Sequence, residues 1–139
     1  MTMVLAGIDL HTGETHYLNH GHPPVYRIGK DVIHPVLKAG SPLGLSHGKG
    51  GTARFTLAPG EMLLLYTDGL TENAGPDGKR LRLRQLLPRL REHKEAEAVA
   101  RGIIDASLLT RGDNPAQDDC TFILIKRDEA EAPPGRAAG

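Results

Sequence analysis

Tryptophan is absent from this 139-residue chain, and aromatic residues make up only 4% of it. Aliphatic side chains must therefore fill the core, and the hydrophobic share of 39% is near the ordinary globular value. A single cysteine, Cys120, excludes an internal disulfide framework and points to a reducing, cytoplasmic compartment. Net charge is lacking too, since 17 basic residues balance 17 acidic ones. That balance argues against a general nucleic-acid binder, which carries a basic excess, and against an acidic disordered chain. No apolar run approaches the ~20 residues that a membrane helix needs. No charged-then-apolar leader with a small-residue cleavage site opens the sequence. The length leaves room for one domain.

What is present reads first as strands. Met3 to Leu10 and Thr15 to Leu18 form a hairpin around the turn His11-Thr12-Gly13-Glu14. Pro23 and Pro24 then interrupt pairing, because neither can donate to a ladder. Val25 to Ile28 and Val32 to Leu37 are short strands, followed by the loop Gly40 to Gly44 and a glycine-rich stretch from Gly48 to Gly51. Arg54 to Leu57 is a strand. The continuous apolar run Met62 to Tyr66 predicts a strand covered on both faces, ending at Thr67-Asp68-Gly69. Asn73 to Gly78 is rich in turn residues and reads as a surface loop. Leu83, Leu86, Leu87 and Leu90 share one helix face, with Pro88 set to kink the helix or restart it. Val99, Ile103 and Ala106 mark a second helix, weakened by Gly102. Phe122 to Ile125 is a last buried strand, and from Asp128 on the composition predicts a disordered tail. Hairpin-linked strands with late helices on one face make an α+β plan.

Asp68 ends one buried strand, and Asp118 and Asp119 precede another, so three carboxylates can converge. Clustered carboxylates repel unless protons or cations compensate, and oxygen ligands favour hard cations such as Mg²⁺ or Mn²⁺. A metal there can activate water and polarise a phosphoryl oxygen. The alternative is ordinary turn chemistry, because Asp-Gly is a common turn dipeptide. His16, His20 and His22 lie close in sequence but form an incomplete zinc set, for which loop histidines are the default. Lys79 to Lys94 holds seven basic residues and one acid, Glu92, and reads as the solvated face of a helix, the alternative being a patch for nucleic acid or an acidic partner. Cys120, at the start of an apolar strand, reads as a small core residue.

Four segments together resemble a known family. Asn19-His20-Gly21-His22-Pro23-Pro24 resembles an N-A-G-H-x-P signature, and Gly40 to Leu45 resembles a G-x-P-L-G-L loop. Leu57 to Glu61 with Leu63 to Glu72 is similar to an L-x-P-G-D-x-L-L-L-Y-T-D-G-L-T-E block, and Gln117 to Thr121 to a closing Q-D-D-I-T block. These are motifs of the PPM (type 2C) metal-dependent protein serine/threonine phosphatases, in the bacterial branch of stage II sporulation protein E. The resemblance implies an antiparallel β-sandwich flanked by helices (αββα). It also implies two Mn²⁺ or Mg²⁺ ions and a metal-activated water that hydrolyses phosphoserine or phosphothreonine. Asp68 and Asp118 are implied as metal ligands, with Asp119 and Gly69 as secondary positions.

The resemblance also implies a bacterial signalling role, in stress or sigma-factor regulation. The implied partner is a phosphoprotein substrate, including an anti-sigma-antagonist-type regulator; the balanced charge and the lack of a long apolar run argue against nucleic acid and against a membrane segment. His20 and Cys120 replace the usual Ala and Ile, and no aromatic-glycine pair stands near Arg80 to Arg84. No G-D-x-x-G-H-G block, which supplies the metal-bridging Asp, precedes Asp68; Asp9 is followed by Leu10 and lies on the hairpin strand. The expectation is that residues 1–127 are the C-terminal portion of a phosphatase domain, that 128–139 form a tail, and that the chain alone has little activity. The alternative is a non-catalytic phosphatase-like module that docks a phosphoprotein or anti-sigma-type partner.

Overall fold

A computed structural model describes residues 1–45 and 48–129. Two antiparallel sheets lie face to face. In the first, Met3–Ile8 (β1) pairs with Glu14–His20 (β2), which pairs in turn with Gly51–Thr56 (β5). In the second, Ile33–Pro35 (β4), Tyr26–Ile28 (β3), Met62–Tyr66 (β6) and Phe122–Lys126 (β7) lie in the order β4-β3-β6-β7. Helices Gly69–Glu72 (α1), Leu83–Leu90 (α2) and Ala96–Arg111 (α3) follow β6 in the chain.

Alternation along the strands creates two cores. Met62, Leu64 and Tyr66 of β6 face the helices, with Tyr26, Ile28, Leu83, Leu87, Val99 and Ile103. Leu63 and Leu65 face the other way, toward Tyr17 and Phe55 of the first sheet and Leu57 just past its strand β5. The expectation of a strand covered on both faces at Met62 to Tyr66 therefore holds, and so does the α+β sandwich. The helices cover one outer face of the sandwich. On the other, Leu5 of β1 is 60% exposed.

Several boundaries differ from the sequence reading for local reasons. β1 stops at Ile8 because the Asp9 carboxylate accepts the backbone N–H groups of His11 and Thr12, which starts the turn early. Leu37 lies beyond β4, whose last residue Pro35 carries no N–H for a ladder. β5 begins at Gly51, three residues before Arg54. Pro88 lies inside α2, which ends two residues later at Leu90. Gly102 is a packing requirement, since a side-chain carbon there would sit 2.5 Å from Leu90 Cδ2 where α3 crosses α2. Asp128 and Glu129 are exposed, and the remainder of the expected tail lies outside the described residues.

Candidate functional site

The end of β6 and the start of β7 are neighbours because the two strands pair from Met62↔Lys126 to Tyr66↔Phe122. Thr67 extends that register, its N–H donating to Thr121 O at 2.9 Å and its Oγ1 accepting from Thr121 N at 3.0 Å. Asp68 follows and caps the short α1, with Oδ1 accepting from Gly69 N at 3.0 Å. Asp118 and Asp119 sit in the loop entering β7, where Asp118 Oδ1 accepts from Asp119 N at 2.8 Å. All three aspartates are exposed, and each keeps a carboxylate oxygen with no protein partner among the described residues.

Gly69 lets the loop come this close. A side-chain carbon at this position would overlap the Asp119 carbonyl and lie 3.3 Å from Asp118 O. Asn73 then locks the arrangement. It is 7% exposed and uses its whole amide. Nδ2 donates to Gly69 O at 2.8 Å and Asp118 O at 2.9 Å, while Oδ1 accepts from Gln117 N at 2.7 Å and Asp118 N at 3.1 Å. The sequence reading placed Asn73 at the start of a surface loop. The signal available is its position directly after the Thr67-to-Glu72 block, where it is the C-cap of the short α1.

Beside the carboxylates lies a cleft of about 460 Å³ whose lining includes Asn73, Ser107, Arg111, Asp118, Asp119 and Cys120. Cys120 is an exposed residue of this cleft, not a core residue. β7 starts only at Phe122, and the Cys120 position is still in the site loop. Desolvation raises the thiol pKa above its ordinary value, opposed by a hydrogen bond from Ser107 and the charge of Arg111.

The remaining candidates are committed elsewhere. Asp9 accepts hydrogen bonds from Thr12 N, Thr12 Oγ1 and His11 N, chiefly those of Thr12, which hold its carboxyl below the usual range. His16 pairs with Glu14, His20 Nδ1 lies 3.0 Å from Ser41 O, and His22 Nδ1 lies 3.3 Å from Thr2 Oγ1. Asn19 of the same motif is buried and ties Tyr17 OH to the backbone of His22. Among the described residues, no three His, Cys, Asp or Glu side chains gather closely enough to hold a metal ion. The aspartates at the β6–β7 end do not by themselves make up a metal site.

Comparison with known proteins agrees with this fold. The family model described as stage II sporulation protein E (SpoIIE) matches residues 1–128. The chain belongs to the SpoIIE family. Its phosphatase-domain fold is shared with the solved phosphatase domain of SpoIIE from Bacillus subtilis, presoaked in manganese. That match has a TM-score of 0.74 and 18% identity over 96% of this chain and 59% of the other. The SiaA PP2C domain of Pseudomonas aeruginosa matches with a TM-score of 0.78 and 21% identity, over 91% of this chain and 52% of that one. Protein IcfG of Synechocystis sp. (strain ATCC 27184 / PCC 6803 / Kazusa) is 31% identical over 133 residues, covering 91% of this chain and 20% of its own length. This SpoIIE-family chain thus spans between a fifth and three-fifths of these relatives. Among its described residues, no helix is long and apolar enough to cross a membrane.

Proposed function

We propose that residues 1–127 are the C-terminal portion of a PPM-type serine/threonine phosphatase domain, and that Asp68 and Asp118 are ligands to its Mn²⁺ or Mg²⁺ ions. The observation that carries this reading is the joining of the Asp68 and Asp118 segments against Gly69 by the fully bonded Asn73 amide. In this reading the metals, when bound, supply an activated water and charge neutralisation for an in-line attack on a phosphoserine or phosphothreonine ester. The chain's own residues hold two carboxylate-bearing segments in fixed register, and they place Arg111 and Ser107 along the adjoining cleft. Asp119 and Gly69 act as supporting positions. The substrate is a phosphoprotein of bacterial, cytoplasmic regulation, an anti-sigma-antagonist-type protein being the model case. A cell fate determinant and a protein with RsbU and RsbW domains among the structural relatives support that choice.

The ligand set also supports a second reading, a non-catalytic module that docks a phosphoprotein or an anti-sigma-type partner. Phosphopeptide hydrolysis separates the two. The 139-residue chain with Mn²⁺ is expected to stay at background. A longer protein that completes the phosphatase domain is expected to turn over, and Asp68→Asn within it should abolish Mn²⁺-dependent hydrolysis. Full activity of that variant would remove the residue assignment. An inactive longer protein that still binds its partner in EDTA would favour the module.

A further inference from the structure

α2 and the segment leading into it carry an excess of positive charge that the carboxylate site does not use. Lys79, Arg80, Arg82, Gln85 and Arg89 line one side of a groove of about 720 Å³, and Leu109 of α3 lies on the other. Of the basic groups here, Lys79 is paired with Asp77. Arg80, Arg82 and Arg89 have no side-chain partner among the described residues, and all three are exposed. The groove also holds Leu86 and Ala106, and Leu109 is 83% exposed, so an apolar strip runs beside the three guanidinium groups.

Arginine is well suited to carboxylates because its planar fork binds them bidentately. Three unpaired arginines beside an exposed leucine therefore complement a segment in which acidic residues alternate with an apolar one. A nucleic acid fits less well. No aromatic side chain lines the groove to stack a base, and the chain as a whole is neutral. The groove and the carboxylate cleft lie on opposite flanks of the last turns of α3: Ala106, Leu109 and Thr110 line the first, and Ser107, Leu108 and Arg111 the second.

We infer that this groove is a docking site for an acidic, leucine-bearing segment of a protein partner, distinct from the carboxylate cleft. Docking needs no metal and no catalysis, so its test is independent of the phosphatase reading. A fluorescein-labelled peptide alternating Asp or Glu with Leu is titrated with the full chain in EDTA and followed by anisotropy. Saturable binding is expected, weakening several-fold as salt rises from low to physiological ionic strength. The neutral counterpart with Asn and Gln should bind at least about tenfold more weakly. The triple variant Arg80→Glu, Arg82→Glu, Arg89→Glu should lose binding while keeping its circular dichroism spectrum, since all three side chains are exposed. Leu109→Ser should weaken the leucine-bearing peptide and leave an alanine-bearing one unchanged. Equal binding by the triple variant, or no anisotropy change, would overturn the inference. So would tighter binding of an oligonucleotide that the triple variant loses, which would reassign the groove to nucleic acid.

Discussion

The two faces of β6 are held in different ways. Toward the helices, the described residues form a cluster of eleven buried side chains, with Leu87, Val99 and Ile103 fully enclosed. Toward the first sheet only four are buried, with partly buried side chains such as Val4, Ile8, Phe55 and Ile125 packed around them, and polar fixings are added to that packing. Thr15 and Asn19 are buried there. Arg27 stacks over Phe55 and bonds both Thr56 O and Glu61 Oε2, while its buried Nε has no partner. Arg127, just past β7, donates to His11 O, Thr12 O and Leu57 O at 2.7 to 2.8 Å. Packing energy scales with area removed from water, whereas a hydrogen bond returns only about 1 kcal/mol net. The helical side therefore holds more fully buried apolar side chains, and the inter-sheet side adds directional polar contacts to its packing.

The largest effect should come from the helical side. Leu87→Ala, at a fully buried position, is expected to cost about 3 kcal/mol in urea unfolding and to lower the whole transition. A smaller and local effect should follow Arg127→Ala, about 1–2 kcal/mol. Hydrogen exchange should speed up in the β1–β2 turn while α3 stays protected; uniform acceleration would break the comparison. The smallest effect at neutral pH is expected from Tyr66→Phe, which keeps the ring beside Tyr26, 6.2 Å away. Burial, with Tyr26 and Tyr17 adding to it, pushes the Tyr66 pKa up to about 12 from its ordinary value of 10.0. The native state then holds this proton more tightly than the unfolded chain does, so the associated stability is complete below pH 10 and is lost as pH rises toward 12. Unfolding titrations should show a decline in that window which Tyr66→Phe flattens.

Much of the helical side was legible in the sequence. The unbroken apolar run at Met62–Tyr66 announces a strand covered on both faces, and the leucine spacing at 83, 86, 87 and 90 announces α2; Phe122–Ile125 is a strand as expected but not a buried one, since β7 lies at the edge of its sheet with Ile123 57% exposed. That the Asp68 and Asp118 segments are neighbours follows from the pairing of β6 with β7. Less legible was whatever depends on partners distant in the chain. Asn73 and Cys120 were assigned the wrong environment because local composition does not reveal a buried amide bonded across 45 residues, nor a loop that delays the start of a strand. The pairing of β2 with β5 was hidden for the same reason, with some thirty residues between them.

The long span of the Asn73 bridge has a kinetic meaning. β6, α1 and Asn73 can form from chain made early, but Asp118 reaches Gly69 only once β7 has paired with β6. Contacts that close long loops form late, because the closure entropy must be met before the contact rewards it. The Arg127 clamp reaches back 115 residues to Thr12 and belongs to the same final step. The joining of the Asp68 and Asp118 segments thus depends on the last strand to dock, and a chain whose β7 is frayed or absent would lack that juncture.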